Sequence, residues 1–203
     1  FWGVDAGGYS GFADEETYLR WTEFAAFSPI MRFHGVTPRE PWAYSRYAVS
    51  VYKFYAWLRE NLLKYSVHTA EEAHKTGIPM MRPLPMVFPE DKEAVYWEDE
   101  YFYGSDLLVA PVHQEGEKRR IYFPSGSWIN LLDFRKMVGG NRIFQVDVPI
   151  DKIPVYIREG ACILSVMNGE LQLGQSMTYE KKNTVLMLSL IHISEPTRLG
   201  MIS

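Results

Sequence analysis

Five side chains near the start of the chain have types and a spacing that could form a polar binding site. Asp5 and His34 end two successive predicted strands, Arg32 comes two residues before His34, and the aromatic residues Trp2 and Tyr9 flank Asp5. Carboxylate, imidazole and guanidinium groups exchange hydrogen bonds with adjacent hydroxyls, and aromatic rings cover apolar faces. The set therefore predicts a subsite for a carbohydrate.

Each polar member of this set also has a purely structural interpretation. Asp5 precedes Gly7 and Gly8 and suits a turn. A single histidine at a strand end, such as His34, is often a satisfied core or edge residue, and Arg32 would then bridge a strand and a helix. Residue type and spacing alone leave both interpretations open.

The elements that would position these side chains are a strand, a loop, a helix and a second strand. Residues 1–4 have the composition of a strand, and a glycine-rich loop follows at residues 6–11. Asp14 suits a helix N-cap, Pro29 follows the helix, and residues 30–34 form a short apolar run. Such a segment of about thirty residues has the size of a βαβ unit. In a barrel of these units, the carboxyl ends of the strands carry the site.

The rest of the chain changes from helix to strand near Pro79. Residues 44–75 carry an apolar stripe at helical spacing, and Gly77 suits the left-handed position after a helix. The stretch is long for one helix, so we expect a break near Tyr65 and Ser66. After Pro79, short apolar runs alternate with turn residues, which predicts an antiparallel sandwich. The expected strands are residues 107–112, 120–123, 128–132, 143–148 and 154–158.

Several sequence blocks occur in an order and spacing that resemble a known family. They are Phe-Trp-Gly-Val-Asp-Ala-Gly-Gly-Tyr at 1–9, Arg-Trp at 20–21, Phe-Ser-Pro-Ile-Met-Arg-Phe-His-Gly at 27–35, Pro-Met-Met-Arg-Pro at 79–83 and Tyr-Gly-Ser-Asp-Leu-Leu-Val-Ala-Pro-Val at 103–112. Over roughly residues 1 to 165 the chain resembles family 31 of the glycoside hydrolases, the α-glucosidases and α-xylosidases.

The resemblance implies an α/β plus β fold, in which the C-terminal strands and helices of a (β/α)8 barrel precede an antiparallel β-sandwich domain. The expected divisions are residues 1–78 for the barrel part, 79–165 for the proximal sandwich, 166–187 for the start of a distal β-domain and 188–203 for a non-native tail.

The resemblance also implies a retaining, exo-acting α-glycosidase that hydrolyses a terminal α-glucoside or α-xyloside without cofactor or metal. Both catalytic aspartates of such an enzyme would lie upstream of Phe1, so we expect no catalytic residue and an inactive fragment. Asp5 would form a wall of the subsite for the non-reducing sugar. His34 would hydrogen-bond a sugar hydroxyl, and Arg32 would orient Asp5.

Two alternatives remain open at the level of the sequence. Transglycosylases and an α-glucan lyase share the implied fold, so the outcome of the reaction is not fixed. A non-catalytic carbohydrate-binding module, with its sandwich at residues 79–165, is the alternative from another class. Val4, Ala6 and Tyr9 replace the His, Ile and Phe of many family members at positions that we expect near the sugar, which leaves the identity of the glycoside open.

Composition excludes other classes of partner. The net charge of -4 comes from interspersed charges without a long basic run, which argues against nucleic acid. No apolar run approaches the ~20 residues of a membrane-spanning helix. Cys162 is the only cysteine, which excludes an intrachain disulfide, and we expect it to be buried. The compartment, with a slight preference for the cytoplasm, and the oligomeric state stay open.

The end of the chain has the sequence of a non-native tail. Residues 188–198, Leu-Ser-Leu-Ile-His-Ile-Ser-Glu-Pro-Thr-Arg, back-translate to a transposase sequencing adapter, and residues 201–203 fit its continuation. We therefore exclude residues 188–203 from the fold and expect them to make few contacts with the sandwich.

Overall fold

The computed structural model describes residues 1–134, 137–167, 172–176 and 184–189. Strand β1 (Gly3–Asp5) pairs in parallel with strand β2 (Ile30–Arg32), with Asp5 opposite Arg32. Helix α1 (Glu15–Ala26) connects the two strands. This parallel βαβ unit confirms the predicted piece of barrel, although β2 ends before His34 and is shorter than expected.

Helix α1 begins where the sequence predicts. The Asp14 carboxylate accepts a hydrogen bond from the backbone N–H of Thr17 at 2.7 Å, and this bond lowers the pKa of Asp14. Glu15 and Glu16 add negative charge to the positive end of the helix. Tyr18 lies fully buried on the face that packs into the core.

The predicted long helical region consists of two helices. Helix α2 (Arg46–Asn61) and helix α3 (Leu63–Thr76) meet at Leu62, slightly before the expected break at Tyr65. Gly77 ends α3 in the left-handed conformation with φ 78°, as predicted. In the part of the chain that the structure describes, no helix combines the length and apolar character needed to span a membrane.

Asn61 connects the break between these helices to Ser165, Val166 and Gly174. Its buried side-chain amide donates to the backbone oxygen of Val166 at 2.6 Å and accepts from the N–H of Gly174 at 2.8 Å. Its own backbone oxygen accepts from the Ser165 hydroxyl at 3.1 Å. Since all three groups are buried, these bonds fix where the helix pair meets the last strands.

The middle of the chain forms two antiparallel layers. The strands are β3 (Met81–Pro83), β4 (Tyr101–Tyr103), β5 (Leu107–Val109), β6 (Lys118–Phe123), β7 (Ser127–Asn130), β8 (Met137–Gly139), β9 (Arg142–Asp147) and β10 (Val155–Arg158), with a short helix α4 (Leu84–Val87) after β3. One sheet has the order β3-β4-β5-β10-β7-β8, and β6 pairs with β9. Phe123, Trp128 and Tyr156 lie in the core shared by the two layers. All five predicted strands are present with shifted ends, whereas β3, β4 and β8 were not predicted.

The last described strands are β11 (Cys162–Met167) and β12 (Thr184–Ser189), which pair antiparallel. Cys162 is exposed, so its expected burial is wrong. Strand β12 includes two residues of the expected non-native tail, since Leu188 pairs with Ile163 and Ser189 with Cys162. The expectation of few contacts is therefore wrong for these two residues, and residues 190–203 lie outside the described residues.

The barrel part and the sandwich share one apolar core. They are also joined by a polar clamp, which consists of the hydrogen bonds from Arg20 and Tyr55 to backbone oxygens of the sandwich. The buried Arg20 of α1 donates to the backbone oxygens of Val148 at 3.2 Å, Pro149 at 3.0 Å and Lys152 at 3.0 Å. The Tyr55 hydroxyl of α2 donates to the oxygen of Asp151 at 3.0 Å. Two barrel helices thus hold the loop between β9 and β10.

The raised pKa values of two buried carboxyl groups indicate how the stability of the fold depends on pH. Burial raises the pKa of Glu23 to about 8 despite Arg20, which opposes the shift. Burial also raises the pKa of Glu100 to about 8, against the Tyr122 N–H and Arg119. In the folded chain both carboxyl groups keep their proton up to about pH 8, whereas in the unfolded chain an ordinary glutamate loses it above its pKa of 4.5. The two groups therefore stabilise the fold at low pH. This contribution is lost as the pH rises through about 8.

We therefore expect the free energy of unfolding of the chain, measured by urea denaturation, to fall between pH 4.5 and pH 8. The double variant Glu23→Gln/Glu100→Gln keeps both side chains neutral and should show a flatter dependence. A wild-type stability that rises over this interval, or an unchanged slope in the double variant, would contradict the assignment.

Candidate functional site

Asp5 and Arg32 form an ion pair at the carboxyl edge of β1 and β2. The Arg32 Nε–H donates to the Asp5 Oδ1 atom at 2.6 Å. The side chain of Asp5 is 21% exposed and that of Arg32 is 60% exposed. The parallel register explains the pair, because it places the two residues opposite each other. The bond expected between Arg32 and Asp5 is therefore present, and it fixes one oxygen of the carboxylate.

The glycine-rich loop after Asp5 reverses the chain at once. Gly7 and Gly8 adopt φ values of 83° and 80°, a region that favours glycine. The Gly8 N–H donates to the Asp5 backbone oxygen at 2.9 Å, and the Ala6 N–H donates to the Arg32 oxygen at 2.8 Å. The tight turn brings Tyr9 back over the end of β2.

Tyr9 and His34 come together beside this turn. Their ring centroids are 5.5 Å apart and the rings are tilted by 51°. Both side chains are exposed. The Val36 N–H donates to the Tyr9 oxygen at 2.9 Å, and a side chain at Gly35 would collide with that same oxygen. The two loops therefore hold an aromatic ring and an imidazole next to each other.

Trp2, which we expected on the wall of the Asp5 site, packs on the side of β1 that faces α1, so we leave it out of the cluster of Asp5, Arg32, Tyr9 and His34. Its ring meets Phe24 of α1 edge-on, with a centroid distance of 5.8 Å. Val4 and Ala6 are buried in a small apolar cluster with Ala25. Side chains alternate along a strand, so residues 2, 4 and 6 face α1 while Asp5 faces away from it. Val4 and Ala6 are buried on the side of α1, and the expectation that their positions lie near the sugar stays a prediction.

Arg39 is a positioning residue that the sequence analysis missed. It is 3% exposed, and its guanidinium donates to the backbone oxygens of Gly8 at 2.8 Å and Gly11 at 2.7 Å, as well as to Pro38 at 3.0 Å. These bonds hold the glycine-rich loop that carries Tyr9. The available signal was a single arginine within a proline-rich loop, residues 37–42.

The arrangement suits hydrogen bonding to a neutral polar ligand. The partner of the Asp5 carboxylate is a guanidinium, whereas retaining glycoside hydrolysis needs a second carboxyl about 5 to 5.5 Å away. The described residues include no group of three or more His, Cys, Asp or Glu side chains that could hold a metal ion. Asp5, His34 and Tyr9 offer an acceptor, an imidazole and an aromatic face on one edge of the strand pair.

Comparison with known proteins adds the family context. Residues 1–69 match the glycosyl hydrolases family 31 TIM-barrel domain, and residues 77–163 match the glycosyl hydrolase family 31 C-terminal domain. Alpha-glucosidase 2 of Bacillus thermoamyloliquefaciens is 32% identical over 80% of this chain and 21% of its own length. The alpha-xylosidase of Saccharolobus solfataricus is 33% identical over 80% of this chain and 23% of its own length.

A solved structure shares the same arrangement of elements. The cycloalternan-forming enzyme of Listeria monocytogenes, in complex with a pentasaccharide substrate, superposes with a TM-score of 0.84 at 33% identity. The match covers 88% of this chain and 18% of that enzyme. The chain therefore spans about a fifth of the length of the relatives that it matches.

Proposed function

Because the chain belongs to glycosyl hydrolase family 31, we propose that it is part of a retaining, exo-acting enzyme that hydrolyses terminal α-linked glucose or xylose. In this proposal the chain supplies a portion of the subsite for the non-reducing sugar, and the catalytic aspartates are contributed by barrel strands upstream of Phe1. The observation that carries the proposal is the Asp5–Arg32 pair beside Tyr9 and His34 on one edge of two parallel barrel strands.

Each side chain has a distinct role toward the sugar in this proposal. Arg32 holds the Oδ1 atom of Asp5, and a sugar hydroxyl would donate to the Oδ2 atom. His34 exchanges a hydrogen bond with a neighbouring hydroxyl. Tyr9 covers the apolar C–H face of the ring, and Arg39 keeps the Tyr9 loop in place.

Glycosyl transfer is the second candidate for the outcome of the reaction. The solved structure described above belongs to a cycloalternan-forming enzyme, and transfer differs from hydrolysis only in whether a sugar hydroxyl or water takes the glycosyl group. The subsite formed by Asp5 and His34 would serve both outcomes, because it holds the sugar that is being transferred.

Product analysis of a full-length enzyme that carries this sequence tests the proposal. We expect it to release glucose or xylose from the matching aryl α-glycoside and to form the α-anomer first, as proton NMR of the fresh product would show. Longer saccharides as the main early products would favour transfer. An initial β-anomer, or no cleavage of either substrate by a folded enzyme, would contradict the proposal.

A further inference from the structure

A groove of about 720 Å³ lies on the sandwich and is lined in part by residues of β6 and β9. Along β6, Arg119 and Ile121 are buried, whereas Lys118 and Arg120 are exposed. The groove volume falls within the roughly 300–1,000 Å³ of small-molecule sites. Its lining does not include Asp5, Arg32, Tyr9 or His34, the residues of the candidate site.

Trp97 lines this groove in a fixed orientation. Its ring stacks on Tyr122 with a centroid distance of 5.8 Å and an angle of 19°. Its indole Nε1–H donates to the Glu93 Oε1 atom at 3.1 Å. The guanidinium of Arg120 lies 5.7 Å from the centre of the ring. An aromatic ring held in this way loses little freedom on binding a ligand.

Asp91 fastens the loop that carries Trp97. Its Oδ1 atom accepts from the Glu93 N–H at 3.0 Å, and its Oδ2 atom accepts from the Tyr122 hydroxyl at 2.6 Å. Next to Trp97, Tyr96 lines the groove with 77% of its surface exposed. The loop therefore presents a second aromatic ring to the solvent without needing that ring for its own structure.

Charge balance in the groove favours a neutral ligand. Its lining includes three acidic and three basic residues, of which Arg119 and Asp99 pair with each other at 2.8 Å. A polyanion or a polycation would meet as much repulsion as attraction there. The remaining polar lining consists of His113 and the amides of Gln114 and Gln145, which both donate and accept hydrogen bonds.

We propose that this groove is a second carbohydrate-binding site, which takes a stretch of neutral α-glucan with its C–H faces against Tyr96 and Trp97. The identity of the sugar rests on the proposed function, whereas the existence of the site rests on the groove itself. The site would hold a long substrate on the sandwich while the candidate subsite at Asp5 takes a terminal sugar.

Affinity electrophoresis of the whole 203-residue chain tests this inference, in native gels that contain either dextran or soluble starch. We expect one of the two glucans to retard the chain. Tyr96→Ala should weaken this binding about tenfold, since it removes a stacked ring. Trp97→Phe keeps a ring against Tyr122 and should weaken it less. Trp42→Ala, at an exposed aromatic residue outside the groove, is the matched control and should bind as the wild type.

The outcomes separate this site from the proposed function. Retardation that survives Asp5→Asn and is lost in Tyr96→Ala supports the groove, whatever the activity of the full-length enzyme. Retardation lost only in Asp5→Asn, or unchanged in Tyr96→Ala, overturns it. Absence of retardation by both glucans also overturns it, as does a wild-type chain that dimerises in sedimentation while Tyr96→Ala stays monomeric.

Discussion

Replacing Asp5 by Asn in the full-length enzyme should lower kcat/KM by about 30- to 1,000-fold, which corresponds to about 2 to 4 kcal/mol of transition-state stabilisation. Asparagine keeps the size of the side chain but loses the charge that pairs with Arg32 and accepts more weakly from a sugar hydroxyl. His34→Ala should cause a loss in the same range because it removes a hydrogen-bonding partner from the same edge.

Trp2→Leu is the matched control for these two variants. Trp2 lies beside β1 but contacts Phe24 on the opposite side of the strand, so kcat/KM should change far less. Steady-state kinetics on folded variants, checked by thermal unfolding, measures all three. An Asp5→Asn enzyme within a few-fold of the wild type, or a larger loss in Trp2→Leu, would remove Asp5 from the sugar subsite.

Replacing Arg20 by Met should destabilise the chain by about 3–5 kcal/mol, because each buried backbone oxygen that loses its donor costs about 1–3 kcal/mol. The methionine fills the space but donates no hydrogen bond. The backbone oxygens of Gly116, Val148, Pro149 and Lys152 lose the Arg20 donor, and so does the protonated Glu23 carboxyl. Urea denaturation measures the loss.

Lys75→Met provides the control for this substitution. Lys75 pairs with Glu71 at 3.9 Å with both side chains largely exposed, and such pairs contribute about 0–1 kcal/mol. A loss below about 1 kcal/mol for Arg20→Met would show that the clamp does not hold the two parts together.

Local signals predicted most of the fold. The Asp14 cap, the left-handed Gly77 and the parallel pairing of β1 with β2 depend on neighbouring residues or on a short connection. The break at Leu62 was expected slightly too late, because it is linked to contacts between Asn61 and residues more than one hundred positions away. Spacing along a helix contains no information on such partners.

The candidate site could be predicted in part. The pairing of Arg32 with Asp5 follows from the register. The packing of Trp2 against α1 was not expected, although the alternation of β1 contained the signal, since Trp2 shares its side of the strand with the apolar Val4. Alternation also places Cys162 on the exposed side of β11, next to the buried Ile163. The role of Arg39 depends on loop carbonyls about thirty residues away, which the position of a single arginine in a proline-rich loop does not reveal.

Azide rescue of an Asp5→Gly variant tests the central claim most directly, namely that Asp5 binds the sugar and does not attack it. In a nucleophile variant, azide attacks the anomeric carbon as the bond to the leaving group breaks, and a β-glycosyl azide forms from an α-glycoside. For Asp5→Gly in the full-length enzyme, we expect low activity that azide does not restore, with no glycosyl azide in the product NMR spectrum. Restored activity with a β-glycosyl azide would identify Asp5 as the nucleophile and contradict this account.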